Sequence, residues 1–116
     1  MRILVSGDRN WINGLAIRRE LEKYPIDTIV IHGAARGADS MAGSIAKSLG
    51  MQVEVYPAQW DKYGKGAGPV RNKQMLDEGK PDKVLAFHED IESSKGTKHM
   101  VKISQEAGIS VEVFKS

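Results

Sequence analysis

Apolar and polar positions along this 116-residue chain come in short, regular blocks. "RILVS", Arg2 to Ser6, is one short apolar run stopped by Gly7, which predicts a buried strand. "LAIRRELEKY" sets Leu15, Ile17, Leu21 and Tyr24 on one helical face, with Pro25 as the expected stop. "DTIVIH", Asp27 to His32, is rich in β-branched residues and predicts a second strand. Met41, Ala42, Ile45, Ala46 and Leu49 then follow helical spacing up to Gly50. "MQVEVYP" alternates as a third strand, and "AQWDKYGKGAG" reads as a long polar loop. "PVRNKQMLDEG" predicts a short helix with Pro69 in its first turn. "DKVLAFH" is a fourth strand and "EDIESSKG" another polar loop. Met100, Ile103 or Ser104, and Ala107 form a last helical stripe stopped by Gly108, and "SVEVF" is a fifth strand.

Strict alternation of strand and helix predicts an α/β fold: one three-layer, Rossmann-like domain over residues 1–116. Its sheet is expected to be five-stranded and mainly parallel, flanked by about four helices. Ligands bind such sheets beyond the carboxyl ends of the strands. The residues that no packing pattern explains fall there, in "GDRNW", "HGAARGAD", "PAQWDKYGKGAGPVRN" and "HEDIESSKGT".

Composition narrows the chemistry. The chain has no cysteine, which removes disulfides and thiolate catalysis and makes the cytoplasm the expected location. No apolar run approaches the ~20 residues of a membrane helix, and the first residues do not resemble a signal peptide, so no membrane partner is expected. A net charge of +2 does not by itself favour nucleic acid. His32, His88 and His99 lack metal-ligand spacing. No metal and no cofactor is expected, and no catalytic residue can be named from spacing.

Four loops carry candidate ligand contacts. In "HGAARGADS", Gly33 and Gly37 would let an anion approach a helix start, and Arg36 would add a forked charge. Asp39 reads equally well as a helix cap or a functional group. "SSKGTKH" repeats the arrangement, with Lys95, Gly96 and Thr97 opening the last helix and Ser94 or Thr97 available as its cap. In "GDRNW", Asp8 suits ribose hydroxyls and Arg9 a phosphate or a base face, while Asn10 or Asn13 suits a cap. Trp60 could stack on a base or close the core, and Arg71 near a helix start favours a bound anion. The plain alternative for each loop is a tight structural turn.

Read together and in order, "GDRNW", "HGAARGADSMA", "PAQWDKYGKGAGPVRNKQM" and "KGT" resemble the YspA and cpYpsA-related SLOG family over essentially the whole chain. The resemblance implies a Rossmann-like fold and a nucleotide or nucleotide-derived ligand, with NAD- and ADP-ribose-related molecules among the class. Two wider relatives pull apart. The LOG phosphoribohydrolases carry "P-G-G-x-G-T-x-x-E"; Gly96 and Thr97 match its "G-T", and Arg71 and Met75 look like their "R-K-x-x-M", but the glutamate position holds Met100. DNA-processing protein A carries "G-L-A-R-G-I-D", which looks like Gly33 to Asp39 and would set Arg36 on a DNA phosphate.

The expectation is therefore a nucleotide-binding site at the carboxyl edge of the sheet. Its residues are Gly7, Asp8, Arg9, His32, Gly33, Ala34, Arg36, Gly37, Ala38, Asp39, Trp60, Lys65, Gly68, Arg71, Asn72, Lys95, Gly96 and Thr97. Gly33 to Ala38 and Lys95 to Thr97 would each hold a phosphate, and Arg71 and Asn72 would close the anion site. An N-glycosidase-like enzyme, a single-stranded DNA-binding module and an interaction subunit are the alternatives. Nucleic acid is the less favoured partner, and a homodimer is what the resemblance implies.

Overall fold

The computed structural model describes residues 1–116. Five strands form one sheet: β1 (Arg2–Gly7), β2 (Ile29–His32), β3 (Gln52–Val55), β4 (Lys83–Phe87) and β5 (Ser110–Phe114). The order is β3-β2-β1-β4-β5 and every pair is parallel. The helices are α1 (Gly14–Leu21), α2 (Ala38–Ser48), α3 (Trp60–Tyr63), α4 (Ala67–Gly79) and α5 (Gly96–Glu106).

Alternation along the strands divides the core into two layers. Ile3 and Val5 point to one face, where they join Ile17, Leu21, Ala42 and Ala46 of α1 and α2. Leu4 points to the other, where Ile31, Val84, Met75 of α4 and Met100 of α5 meet. Small residues at Ala38, Ala42 and Ala46 let α2 lie close on the sheet. Trp11 packs its edge on Phe87 with ring centroids 5.6 Å apart, and Phe87 stacks on Phe114 at 4.9 Å.

Three local expectations are corrected. The first helix stops at Leu21, three residues before Tyr24, because Glu22 to Tyr24 turn back onto the Arg18, Glu20 and Leu21 carbonyls. The loop expected from Ala58 to Gly68 carries α3 and a 3-10 turn at Gly64–Gly66. The helix expected from Pro69 begins at Ala67; Pro69 still sits in the first turn, where its missing N–H costs nothing.

Successive strands run outward from β1 on one side, and the chain then crosses to β4 on the other. The carboxyl ends of β1 and β4 therefore diverge, which is the crevice where open α/β sheets take ligands. Gly7 lies at that point. A Cβ there would collide with the Phe87 carbonyl and come 2.7 Å from the Ala38 Cβ. Only glycine lets β1, β4 and the start of α2 converge so closely.

Candidate functional site

The four loops meet at this crevice and enclose a cleft with two connected chambers. The inner chamber, about 270 Å³, is lined by Ser6, Gly7, Asp8, Arg9, Ala35, Asp39, Arg71, Asn72, Met75, His88, Ser94, Lys95, Gly96 and Thr97. The outer chamber, about 580 Å³, is lined by Arg9, Gly33, Ala34, Ala35, Arg36, Pro57, Ala58, Trp60, Lys65, Gly68, Pro69, Arg71, Asn72, Lys95, Gly96 and His99. Arg9, Arg71 and Lys95 form a cationic band common to both. Five cationic side chains and no carboxylate line the outer chamber.

The start of α2 is partly closed by bonds of its own. Four of the N–H groups from Gly33 to Ala38 bond inside the protein. Those of Gly33 and Ala35 donate to Asp39 Oδ2 at 3.0 and 3.4 Å. That of Ala34 donates to His32 Nδ1 at 3.0 Å, and that of Ala38 to the Asp8 carbonyl at 3.1 Å. The chain supplies its own anion, the Asp39 carboxylate. Asp39 is therefore no ordinary cap: it sits in the first turn of α2 and reaches back to the loop before it.

His32, Gly37 and Ala38 line neither chamber. His32 is 7% exposed and wedged against Gly43, where an added Cβ would lie 2.5 Å from Nε2. It holds the loop through the bond to Ala34, and that bond requires Nδ1 to be unprotonated. Ala34 is kept at φ +61° beside it. Such a left-handed alanine costs about 1–2 kcal/mol, so the surrounding bonds hold the loop against its local preference.

Arg71 reaches across from α4. Its Nη1 donates to the Gly33 carbonyl and its Nε to Asn72 Oδ1 at 3.1 Å. The guanidinium lies over the Gly33 Cα, where an added Cβ would be 2.7 Å from Cζ. Gly33 is needed for this approach. Asn72 is 4% exposed; its Nδ2 donates to the Gly96 carbonyl at 3.2 Å and lies 3.1 Å from His99 Nδ1. Asn72 thus spends its polar atoms joining α4 to the start of α5.

At α5 the N-cap position is Lys95, and Ser94 just before it supplies the Oγ that accepts from the Thr97 N–H at 3.0 Å. At α1 it is Asn13, whose Oδ1 accepts from Ala16 at 3.2 Å. Asp8 Oδ1 accepts from the Asn10 N–H at 2.9 Å, and its Oδ2 lies 4.0 Å from His88 Nε2. His88 Nδ1 accepts from Asp90, which turns Nε2 toward Asp8. Trp60 is 56% exposed over Gly68, so its ring is available at the mouth and does not close the core. Ser6, Ala35, Met75, His88, Ser94 and His99 also line the cleft, beyond the expected ligand contacts. Ala35 and Ser94 lie within the loop motifs, and Ser6 and His88 flank the carboxyl ends of β1 and β4; Met75 and His99 come from within α4 and α5.

Burial pushes the Asp39 carboxyl up from 3.8 to about 6, against the nearby Arg71 charge and the two N–H bonds that pull it down. Burial first, then Lys47 and Arg71, lowers the His32 pKa. The two act oppositely on stability. Native Asp39 keeps a proton that the unfolded chain has released, so stability falls as pH rises from 3.8 to about 6. The ionised form then costs about 3 kcal/mol, at about 1.4 kcal/mol per pH unit. Native His32 refuses a proton that the unfolded chain takes up, so stability falls as pH drops through 6.5. Asp39→Asn is expected to raise the unfolding midpoint at pH 8, with the gain shrinking to nothing near pH 3.8. Denaturant melts across that range check this; a gain independent of pH would contradict the assignment.

Comparison with known proteins agrees with this architecture. Residues 1–63, slightly more than half the chain, match the YspA, cpYpsA-related SLOG family. A relative from Mycobacterium phage D29, the Gene 61 protein, is 36% identical over 95% of this chain and 93% of its own length. The family match spans β1 through α3, and the phage relative extends over α4 and α5. Met100, at the position of the LOG glutamate, is fully buried in the α4–α5 layer and does not face the cleft.

Proposed function

The chain belongs to the YspA, cpYpsA-related SLOG family, and from that membership and the cleft we propose that it binds a nucleotide or nucleotide-derived small molecule, of the NAD- and ADP-ribose-related class, at the carboxyl edge of its sheet. The family carries a nucleotide-related function. The observation that supports this reading most strongly is the outer chamber. Arg9, Arg36, Lys65, Arg71 and Lys95 converge there with no acidic side chain between them. Such a chamber is built for an anion, and arginine suits phosphate by its forked geometry. Trp60, Pro57 and Pro69 give the same chamber a flat apolar wall for a base.

The residues divide the work. Arg36 and Lys65 hold phosphate at the mouth. Arg9, Arg71 and Lys95 hold it at the junction, beside Gly96 and Thr97. Trp60 covers the base, with Gly68 beneath it. Asn72 keeps α4 and α5 in register and acts as a positioning residue. The cations enclose one chamber and do not run along a track, which suits a small ligand better than a DNA strand. No residue is assigned to turnover.

Titration calorimetry with AMP, ATP, NAD and ADP-ribose tests the reading. Arg36→Ala is expected to weaken the best of them about tenfold or more, a loss of about 1.4 kcal/mol. Trp60→Ala is expected to cost about 1–3 kcal/mol of binding, with the unfolding midpoint unchanged because the ring is half exposed. Equal affinity in both variants and the wild type would place the ligand elsewhere.

A further inference from the structure

The two chambers are chemically unlike. The outer one is cationic and has an aromatic wall. The inner one has no Trp, Tyr or Phe, one imidazole, His88, and only two apolar residues, Ala35 and Met75. It also holds two carboxylates, Asp8 and Asp39. Asp39 is 5% exposed, and its Oδ2 is fixed by two backbone N–H groups. No hydrogen bond within the protein reaches its Oδ1, which keeps solvent contact, and the side chain lines the chamber. Water serves such an acceptor in the free protein, and a ligand that displaces the water must bring a donor of its own.

A phosphate does not fit beside Oδ1, because a carboxylate repels it. A base gains little where no flat apolar surface meets it. The chamber's ~270 Å³ is also below the usual range for a whole ligand, so it takes one portion of a larger molecule. What remains is a neutral group rich in hydrogen-bond donors and joined to a phosphate in the cationic band.

Resting on the nucleotide reading above, we propose that the inner chamber is a sugar subsite and that Asp39 Oδ1 accepts a ribose hydroxyl, making Asp39 the residue that distinguishes ribonucleotides from their deoxy counterparts. The site is poised for it. The bonds from Gly33 and Ala35 hold the carboxylate in place before the ligand arrives, so little ordering remains for binding. A ligand lacking the hydroxyl leaves a desolvated Oδ1 unpaired, and sites built around a hydroxyl reject such analogues strongly.

Calorimetry with ADP, 2′-deoxy-ADP, 3′-deoxy-ADP and inosine diphosphate decides the matter, on wild type and on Asp39→Asn. Wild type is expected to bind at least one deoxy analogue about tenfold or more weakly than ADP. Asp39→Asn retains the oxygen for Gly33 and Ala35 but turns an amide donor to the chamber, so its preference is expected to fall below about threefold. Equal wild-type affinity for ADP and both deoxy analogues would overturn the sugar subsite and leave the nucleotide reading standing. So would an undiminished preference in Asp39→Asn. A preference for ADP over inosine diphosphate without any deoxy effect would put the base amine in the inner chamber, again overturning the subsite. No binding of ADP at millimolar concentration, with no other nucleotide bound, would overturn both readings.

Discussion

Gly37→Ala is expected to lower the unfolding midpoint by about 15 °C or more, from a loss of about 3–5 kcal/mol. Two costs add at this residue. Its backbone stands at φ +74° and ψ −124°, a region that side-chain-bearing residues avoid. An added Cβ would also collide with the Asp8 carbonyl and lie 2.5 Å from the Arg9 carbonyl carbon. Both neighbours are backbone of the β1–α1 loop and cannot swing aside. The variant would push that loop from α2 and break the bond from the Ala38 N–H to the Asp8 carbonyl. Ligand binding should fall with stability, because Asp8 and Arg9 line the cleft from this same loop. Gly64→Ala is the control. Gly64 shares that backbone region, with φ +56° and ψ −132°, but nothing lies within 4 Å of an added Cβ, so only the backbone cost of about 1–3 kcal/mol should remain. Circular dichroism melts of the pair separate the two costs. Equal shifts would mean that the close approach at Gly37 carries no energy.

The largest effect on binding is expected from Arg71→Ala, with affinity for the best nucleotide falling about a hundredfold or more, about 2.7 kcal/mol. Arg71 is one of three cations common to both chambers and the only one that also holds the fold together. Its removal strips the donor from the Gly33 carbonyl and from Asn72 Oδ1, at about 1–3 kcal/mol for each buried acceptor left unpaired. It also removes the positive charge that holds the Asp39 pKa down, so Asp39 should titrate above its present value of about 6. A double variant, Arg71→Ala with Asp39→Asn, separates fold from function. The added amide removes the unbalanced buried charge and should recover part of the lost stability. It should recover none of the binding, since the phosphate still lacks its arginine. Full recovery of affinity in the double variant would mean that Arg71 serves only to balance Asp39.

The sheet was legible because parallel strands buried on both faces read as apolar runs, and "RILVS", "TIVIH" and "KVLAF" are unambiguous. The cleft's place followed from topology, since the odd residues fall after strands and the carboxyl ends of β1 and β4 diverge. Helix limits were less legible. Gly64, Gly66 and Gly68 look like loop residues, yet α3, a 3-10 turn and α4 run nearly end to end through them. None of the three is required by packing: an added Cβ at Gly68 would meet Trp60 at an ordinary 3.8 Å, and nothing lies within 4 Å at Gly64 or Gly66.

The roles within the site were hardest to read because they depend on distant partners. The glycines and alanines of "HGAARGAD" look like a phosphate loop. Gly33 makes room for Arg71, 38 positions later in the chain. Gly37 makes room for the β1–α1 loop, and the Gly33 and Ala35 N–H groups close on Asp39. A helix start that binds its own carboxylate has the same sequence signature as one that binds a phosphate. His32 likewise carries no mark of the bond to Ala34 that makes it a loop support. Arg9, Arg36, Lys65, Arg71 and Lys95 were legible as residues of the cleft because they stand in the segments that follow strands.

Proton–nitrogen correlation spectra of the uniformly labelled protein, titrated with ADP-ribose, ADP and ATP, test the central claim most directly. The account predicts saturable shifts at Gly7 to Arg9, Gly33 to Arg36, Lys95 to Thr97 and the Trp60 indole N–H, with the outer faces of α1 and α2 unmoved. Saturable shifts confined to those outer faces, or spectra unchanged by all three nucleotides at millimolar concentration, would contradict it.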